Sequence, residues 1–118
     1  KFAGAPHEEH PWRKYFDVVP STTLADSISV DIPRNGYHAL KQLNKYNGKT
    51  VTVSDSEILE AQKELASLTG VFAEPSSATV LAGFKKASAE IPRSAVVVLL
   101  VTGSGLKDIA SAAKGLGL

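Results

Sequence analysis

The chain has 118 residues, 43% of them hydrophobic and 21% charged, with a formal net charge of +1. That is one domain's worth of sequence with the composition of an ordinary globular protein. So small a charge argues against nucleic acid or a membrane surface as partner, the lack of cysteine excludes disulfides and thiolate metal sites, and no apolar run approaches the roughly 20 residues that cross a bilayer.

No signal-peptide pattern is visible, so a cytoplasmic protein is expected. The sequence opens at Lys1 without a methionine, and a segment of a longer polypeptide is the natural expectation. Residues 1–20 hold Pro6, Pro11 and Pro20 with no sustained periodicity and read as an irregular insertion arm. Residues 21–118 read as one α/β unit. Within it, Leu24, Ile28 and Val30 suggest a short strand or extended turn that stops before Pro33. Asn35 is placed to cap a helix carrying Tyr37, Leu40 and Leu43, which Asn47-Gly48 ends. Thr50-Val51-Thr52-Val53 is a compact β-branched strand.

Ser54-Asp55-Ser56-Glu57 is a capping box, followed by Ile58, Ala61, Leu65 and Leu68 at helical spacing and closed by Thr69-Gly70. Val71-Phe72-Ala73 is a further short extended piece. Glu74-Pro75-Ser76-Ser77 opens another helix, with proline in the first turn and hydroxyls able to cap it, and Pro92 ends that element. The run 95–101, seven apolar residues of which four are valine, predicts a strand buried on both faces, as in a parallel sheet. A helix follows it. This alternation predicts a layered α/β fold, a parallel sheet with flanking helices.

The strongest site candidate is Thr102-Gly103-Ser104-Gly105, a hydroxyl and flexible backbone at the carboxyl end of the central strand, where open α/β sheets bind ligands. A tight turn leaving a core strand explains the same residues, and the glycine pair lacks the third glycine and downstream acid of a dinucleotide fingerprint. Glu74, Ser76 and Ser77 sit at a helix N-terminus, where backbone N–H groups favour anions, although a well-capped helix accounts for them equally. His7-Glu8-Glu9-His10 lacks the spacing of a metal-ligand helix and reads as a solvated loop, so no metal is expected. Asp26 and Asp31 have no histidine or serine partner that suggests a triad. Lys107 is expected on the surface, beside Asp108, rather than as a reactive amine.

Four segments in order carry a resemblance: Thr23-Leu-Ala-Asp-Ser-Ile28, Val53-Ser-Asp-Ser-Glu-Ile-Leu-Glu-Ala61, Gly70-Val-Phe-Ala-Glu-Pro-Ser-Ser-Ala78, and Val97-Val-Leu-Leu-Val-Thr-Gly-Ser-Gly-Leu-Lys-Asp108. Together they resemble the C-terminal part of the threonine synthases, within the fold-type II family of pyridoxal-phosphate enzymes. The resemblance implies part of that family's large α/β domain, and pyridoxal 5'-phosphate as cofactor of the complete enzyme. It implies that Thr102 hydrogen-bonds the pyridine nitrogen, that Gly103 and Gly105 admit the ring, that Glu74 and Ser76 lie at its rim, and that Ala25 falls on a loop beside its face. The family's Schiff-base lysine, in a Ser-x-Lys motif, and its glycine-rich phosphate loop have no counterpart here, so no residue of this chain is assigned as catalytic.

The implied reaction of the parent enzyme is conversion of O-phosphohomoserine and water to threonine and phosphate, with the chain inactive alone. Its implied partners are the N-terminal remainder of the enzyme and an amino-acid substrate, and a central strand without neighbours would favour homo-oligomers. Cysteate synthase and threonine deaminase share much of the pattern. A stand-alone, non-catalytic α/β binding module is the alternative from another class.

Overall fold

The computed structural model describes residues 16–115 and 117, which leaves the His7–His10 motif outside the described residues. The chain divides into two compact units: residues up to 22 with 29–50, and residues 23–28 with 51 onward.

In the first unit, Val19 donates its N–H to Asp31 O at 3.2 Å and Ser21 donates to Asp31 Oδ1 at 2.8 Å, which ties residues 19–21 to the segment before helix α1 (Gly36–Lys45). Asn35 occupies the N-cap position as expected, but its side chain makes no capping hydrogen bond. The helix ends as the Asn47-Gly48 pair foretold, with the roles divided. Asn47 takes the left-handed conformation (φ 51), and Gly48 returns its N–H to Leu43 O at 2.8 Å, a Schellman closure.

The second unit is built on helices α2 (Asp55–Thr69) and α3 (Pro75–Ala87), its most extensive helix pairing. The capping box forms as the sequence requires. Glu57 N donates to Ser54 Oγ at 3.3 Å, and Ser54 N donates to the Glu57 carboxylate at 2.6 Å. The same carboxylate meets Lys86 at 2.9 Å, and these contacts, the Ser54 backbone N–H foremost, hold Glu57 down at about 2. Gly70 closes α2 at φ 73. Proline opens α3 at its first position, where the missing N–H costs nothing. The expected hydroxyl cap is not made, because Glu74 is the N-cap and its side chain turns elsewhere. Helix α3 gives way to a single 3-10 turn (Ser88–Glu90), and Ile91, before Pro92, is already extended. A short helix α4 (Ile109–Gly115) is the last element.

Ala25, Ile58, Leu65, Ala73 and Ala78 form the core, with Val53, Leu81 and Val101 half-buried against it. Buried Gln62 satisfies its amide on Ala73 O at 2.7 Å.

The layered parallel sheet expected from the sequence is not formed among the described residues. The only sheet-like pairing there is one antiparallel bridge, Ala73 to Ser104. Residues 50–53 and 95–101 form no strand, and the segment after Thr23 turns as a 3-10 helix (Asp26–Ile28) instead of a strand. The run 95–101 was expected to be covered on both faces. Instead Val96, Val97, Val98 and Leu100 are 94%, 42%, 82% and 70% exposed, while Val101 packs against the core. The reason is physical: strand pairing needs neighbouring strands, and none of the described residues supplies them.

Candidate functional site

The bridge between Ala73 and Ser104 organises the site. Glu74 N donates to Gly103 O at 3.0 Å and Gly105 N donates to Phe72 O at 2.8 Å, so the 102–105 loop is zipped to the segment that opens α3. Ser77, one turn into that helix and 1% exposed, grips the loop from below. Its Oγ accepts the N–H of Thr102 at 3.1 Å and of Gly103 at 2.8 Å, and lies 2.9 Å from Thr102 Oγ1. Thr102 itself is exposed. A neutral hydroxyl is thus held by backbone and side chain together at the end of the apolar run.

Gly103 and Gly105 have identifiable spatial roles. A Cβ at Gly103 would lie 2.1 Å from Glu74 Oε1, and one at Gly105 would lie 2.6 Å from the Phe72 ring. The first glycine makes room for a buried carboxylate and the second for an aromatic side chain.

Glu74 is 5% exposed, and its charge is not isolated. Oε2 accepts from Ser27 Oγ at 2.9 Å and faces Lys107 Nζ at 3.5 Å, and Lys107 also donates to Ser27 Oγ at 3.3 Å. The Lys107 side chain is 66% exposed, so solvent screens that ion pair, and the shorter Ser27 hydrogen bond does more to hold the carboxylate. Asp26, Ser27, Glu74, Ser76, Lys107 and Ser111 line a cavity of about 230 Å³.

The residues singled out from the sequence therefore fall into three places. Glu74 and Ser76 share the polar cavity, Thr102 stands on the loop that Ser77 pins, and Ala25 is fully buried in the core. Sequence reasoning put Ser76 forward and left Ser77 in a supporting place, yet Ser77 makes the loop contacts. The only sequence signal was a serine pair straight after the proline, which does not say which serine turns inward. Ser27 and Lys107 were missed as Glu74's partners, since they lie 47 and 33 positions from it. A larger cavity of about 350 Å³, lined by Leu59, Phe72 and Ala112 among others, is mostly apolar and offers packing surface rather than chemistry.

Comparison with known proteins gives a consistent result. Residues 2–103 match the family described as pyridoxal-phosphate dependent enzymes. Threonine synthase of Synechocystis sp. is 44% identical over 86 residues, 73% of this chain and 22% of that protein. The threonine synthase of Halalkalibacterium halodurans is 43% identical over 88 residues, covering 73% of this chain and 25% of that protein. That of Methanocaldococcus jannaschii is 41% identical over 97 residues, 78% and 24% respectively. The chain thus spans about a quarter of the length of these relatives.

Proposed function

The chain belongs to the family of pyridoxal-phosphate-dependent enzymes, and on that premise we propose that it is the C-terminal segment of a cytoplasmic threonine synthase-like enzyme, part of its large α/β domain. The reaction is the conversion of O-phosphohomoserine and water to threonine and phosphate. The observation that carries the reading is the Thr102 hydroxyl, exposed and pinned to buried Ser77 at 2.9 Å.

The donor set fits the pyridine edge of the cofactor. A neutral hydroxyl suits an uncharged ring nitrogen, whereas a carboxylate at that position would favour the pyridinium. Glu74 is not free to take that part, because Ser27 and Lys107 engage its carboxylate. Once bound, pyridoxal phosphate supplies an electron sink for negative charge developing on the substrate carbon. Thr102 holds the ring nitrogen, and the Gly103–Glu74 backbone bond at 3.0 Å fixes the loop that presents it. Glu74 and Ser76, on their polar cavity, stand at the rim, with Gly103 and Gly105 giving the loop its close packing.

In this reading the Schiff-base lysine and the phosphate-binding loop come from the N-terminal remainder, which also supplies strands beside residues 95–101. Its exposed valines favour self-association when those strands are missing. The chain alone is inactive: no Ser-x-Lys motif occurs in it, and Lys107 is paired with Glu74.

The test is phosphate release from O-phosphohomoserine by the holoenzyme, with Thr102→Val beside the wild type. The proposal expects release by the wild type, and a loss of turnover of roughly tenfold in the variant, the worth of one ordinary hydrogen bond. A holoenzyme that ignores O-phosphohomoserine but deaminates threonine moves the assignment to threonine deaminase. For the isolated chain, incubation with pyridoxal phosphate, borohydride reduction and peptide mapping should give no stoichiometric label at Lys107; such a label refutes the inactive-segment reading.

A further inference from the structure

The Ser77–Thr102 pair fixes more than position. A serine hydroxyl has one proton to give and two lone pairs to receive. Both lone pairs of Ser77 Oγ are engaged by groups that can only donate, the N–H of Thr102 at 3.1 Å and of Gly103 at 2.8 Å. Ser77 is 1% exposed, so water does not compete for what is left. Its proton therefore points at the neighbouring oxygen, Thr102 Oγ1, at 2.9 Å. Thr102 receives that proton, and its own is left to point outward from the loop.

We propose that Ser77 is the positioning residue that makes Thr102 an outward hydrogen-bond donor, so that the site selects a ring whose facing atom accepts a hydrogen bond. The proposal rests on the reading that Thr102 faces the cofactor ring and adds what decides the direction of that bond. Two backbone N–H groups polarise the Ser77 hydroxyl, which in turn polarises that of Thr102, and such a chain strengthens its last donor. The relay is neutral throughout, so it grips an unprotonated heteroaromatic nitrogen without supplying a charge that would protonate it. It also explains why a serine, with a proton to pass on, occupies so buried a position.

The experiment compares the dissociation constants of the complete apoenzyme for pyridoxal phosphate and for its 1-deaza analogue, in which a ring C–H replaces the nitrogen. The ratio of the two isolates the contact at that ring atom from phosphate and lysine contacts. The wild type is expected to favour the pyridine about tenfold, the worth of one hydrogen bond. Ser77→Ala and the shape-keeping Ser77→Cys, a poor donor, should shrink the ratio to about threefold. Should Ser77→Ala not fold, Ser77→Cys carries the comparison alone. Thr102→Val should bring the ratio near one, with Ser77→Cys adding nothing on that background. If Thr102→Val leaves the ratio at the wild-type value, the reading that Thr102 faces the ring falls, and this proposal with it. If Thr102→Val abolishes the preference while Ser77→Cys keeps it, Thr102 stays at the ring and the relay is overturned. Equal weakening of both ligands in Ser77→Cys, with the ratio intact, is a merely structural role and overturns it too.

Discussion

Replacing Gly103 by alanine offers a sharp test of how the loop and Glu74 are built around each other. Gly103 does not adopt a left-handed conformation, so alanine suits its backbone and would by itself stabilise by about 0.4–1 kcal/mol through the unfolded chain. The obstacle is the side chain: its Cβ would lie 2.1 Å from Glu74 Oε1 and 2.5 Å from Cδ. The carboxylate must move, which breaks its 2.9 Å bond from Ser27, a hydrogen bond to a charged group worth about 1.5–3 kcal/mol. The exposed Lys107 contact adds about 1 kcal/mol at most. Gly103→Ala should therefore cost about 2 kcal/mol net. In a Glu74→Ala background every clashing atom is gone, and the same substitution should be neutral or slightly stabilising. Urea unfolding of the four variants followed by circular dichroism measures the coupling, expected at about 2–3 kcal/mol. An equal cost for Gly103→Ala in both backgrounds refutes the reasoning.

Ser54→Ala should cost on the order of 1 kcal/mol in thermal or urea melts, since it removes a formed cap, and an unchanged midpoint counts against that role. The Glu57 carboxylate, held down at about 2 from an ordinary value of 4.5, contributes stability that is full above that ordinary value. Its contribution should fade as pH falls toward about 2, and Glu57→Gln should flatten this part of the stability profile. Val98 is 82% exposed, so Val98→Thr should shift the stability of this chain by less than about 0.5 kcal/mol. In the holoenzyme, where strands on either side would bury that position, it should cost about 1–3 kcal/mol. A small effect in both would argue that the run 95–101 is never covered.

The elements that were legible in the sequence are those specified by near neighbours. The Ser54–Glu57 box, Gly70 and Pro75 set the bounds of α2 and α3, because caps and breakers act within a few residues. The β-branched run 95–101 predicted a strand that does not form here, because pairing is a relation between segments and the described residues lack the partners. At the site, Thr102 was visible as a hydroxyl ending an apolar run. Its grip by Ser77, 25 positions away, and the seating of Glu74 against Gly103 and Ser27 were not, because only tertiary packing brings those atoms within reach. Lys107 was correctly expected to be exposed, yet its distance of 3.5 Å from Glu74 came only from the fold.

The central claim is that the Thr102 hydroxyl meets the pyridine nitrogen of pyridoxal phosphate. A crystal structure of the cofactor-bound holoenzyme tests it most directly. The account requires Thr102 Oγ1 within roughly 2.6–3.2 Å of that nitrogen, with the 2.9 Å contact to Ser77 Oγ retained behind it. A ring nitrogen facing another group, with Thr102 turned away and in contact with Ser77 alone, would contradict it.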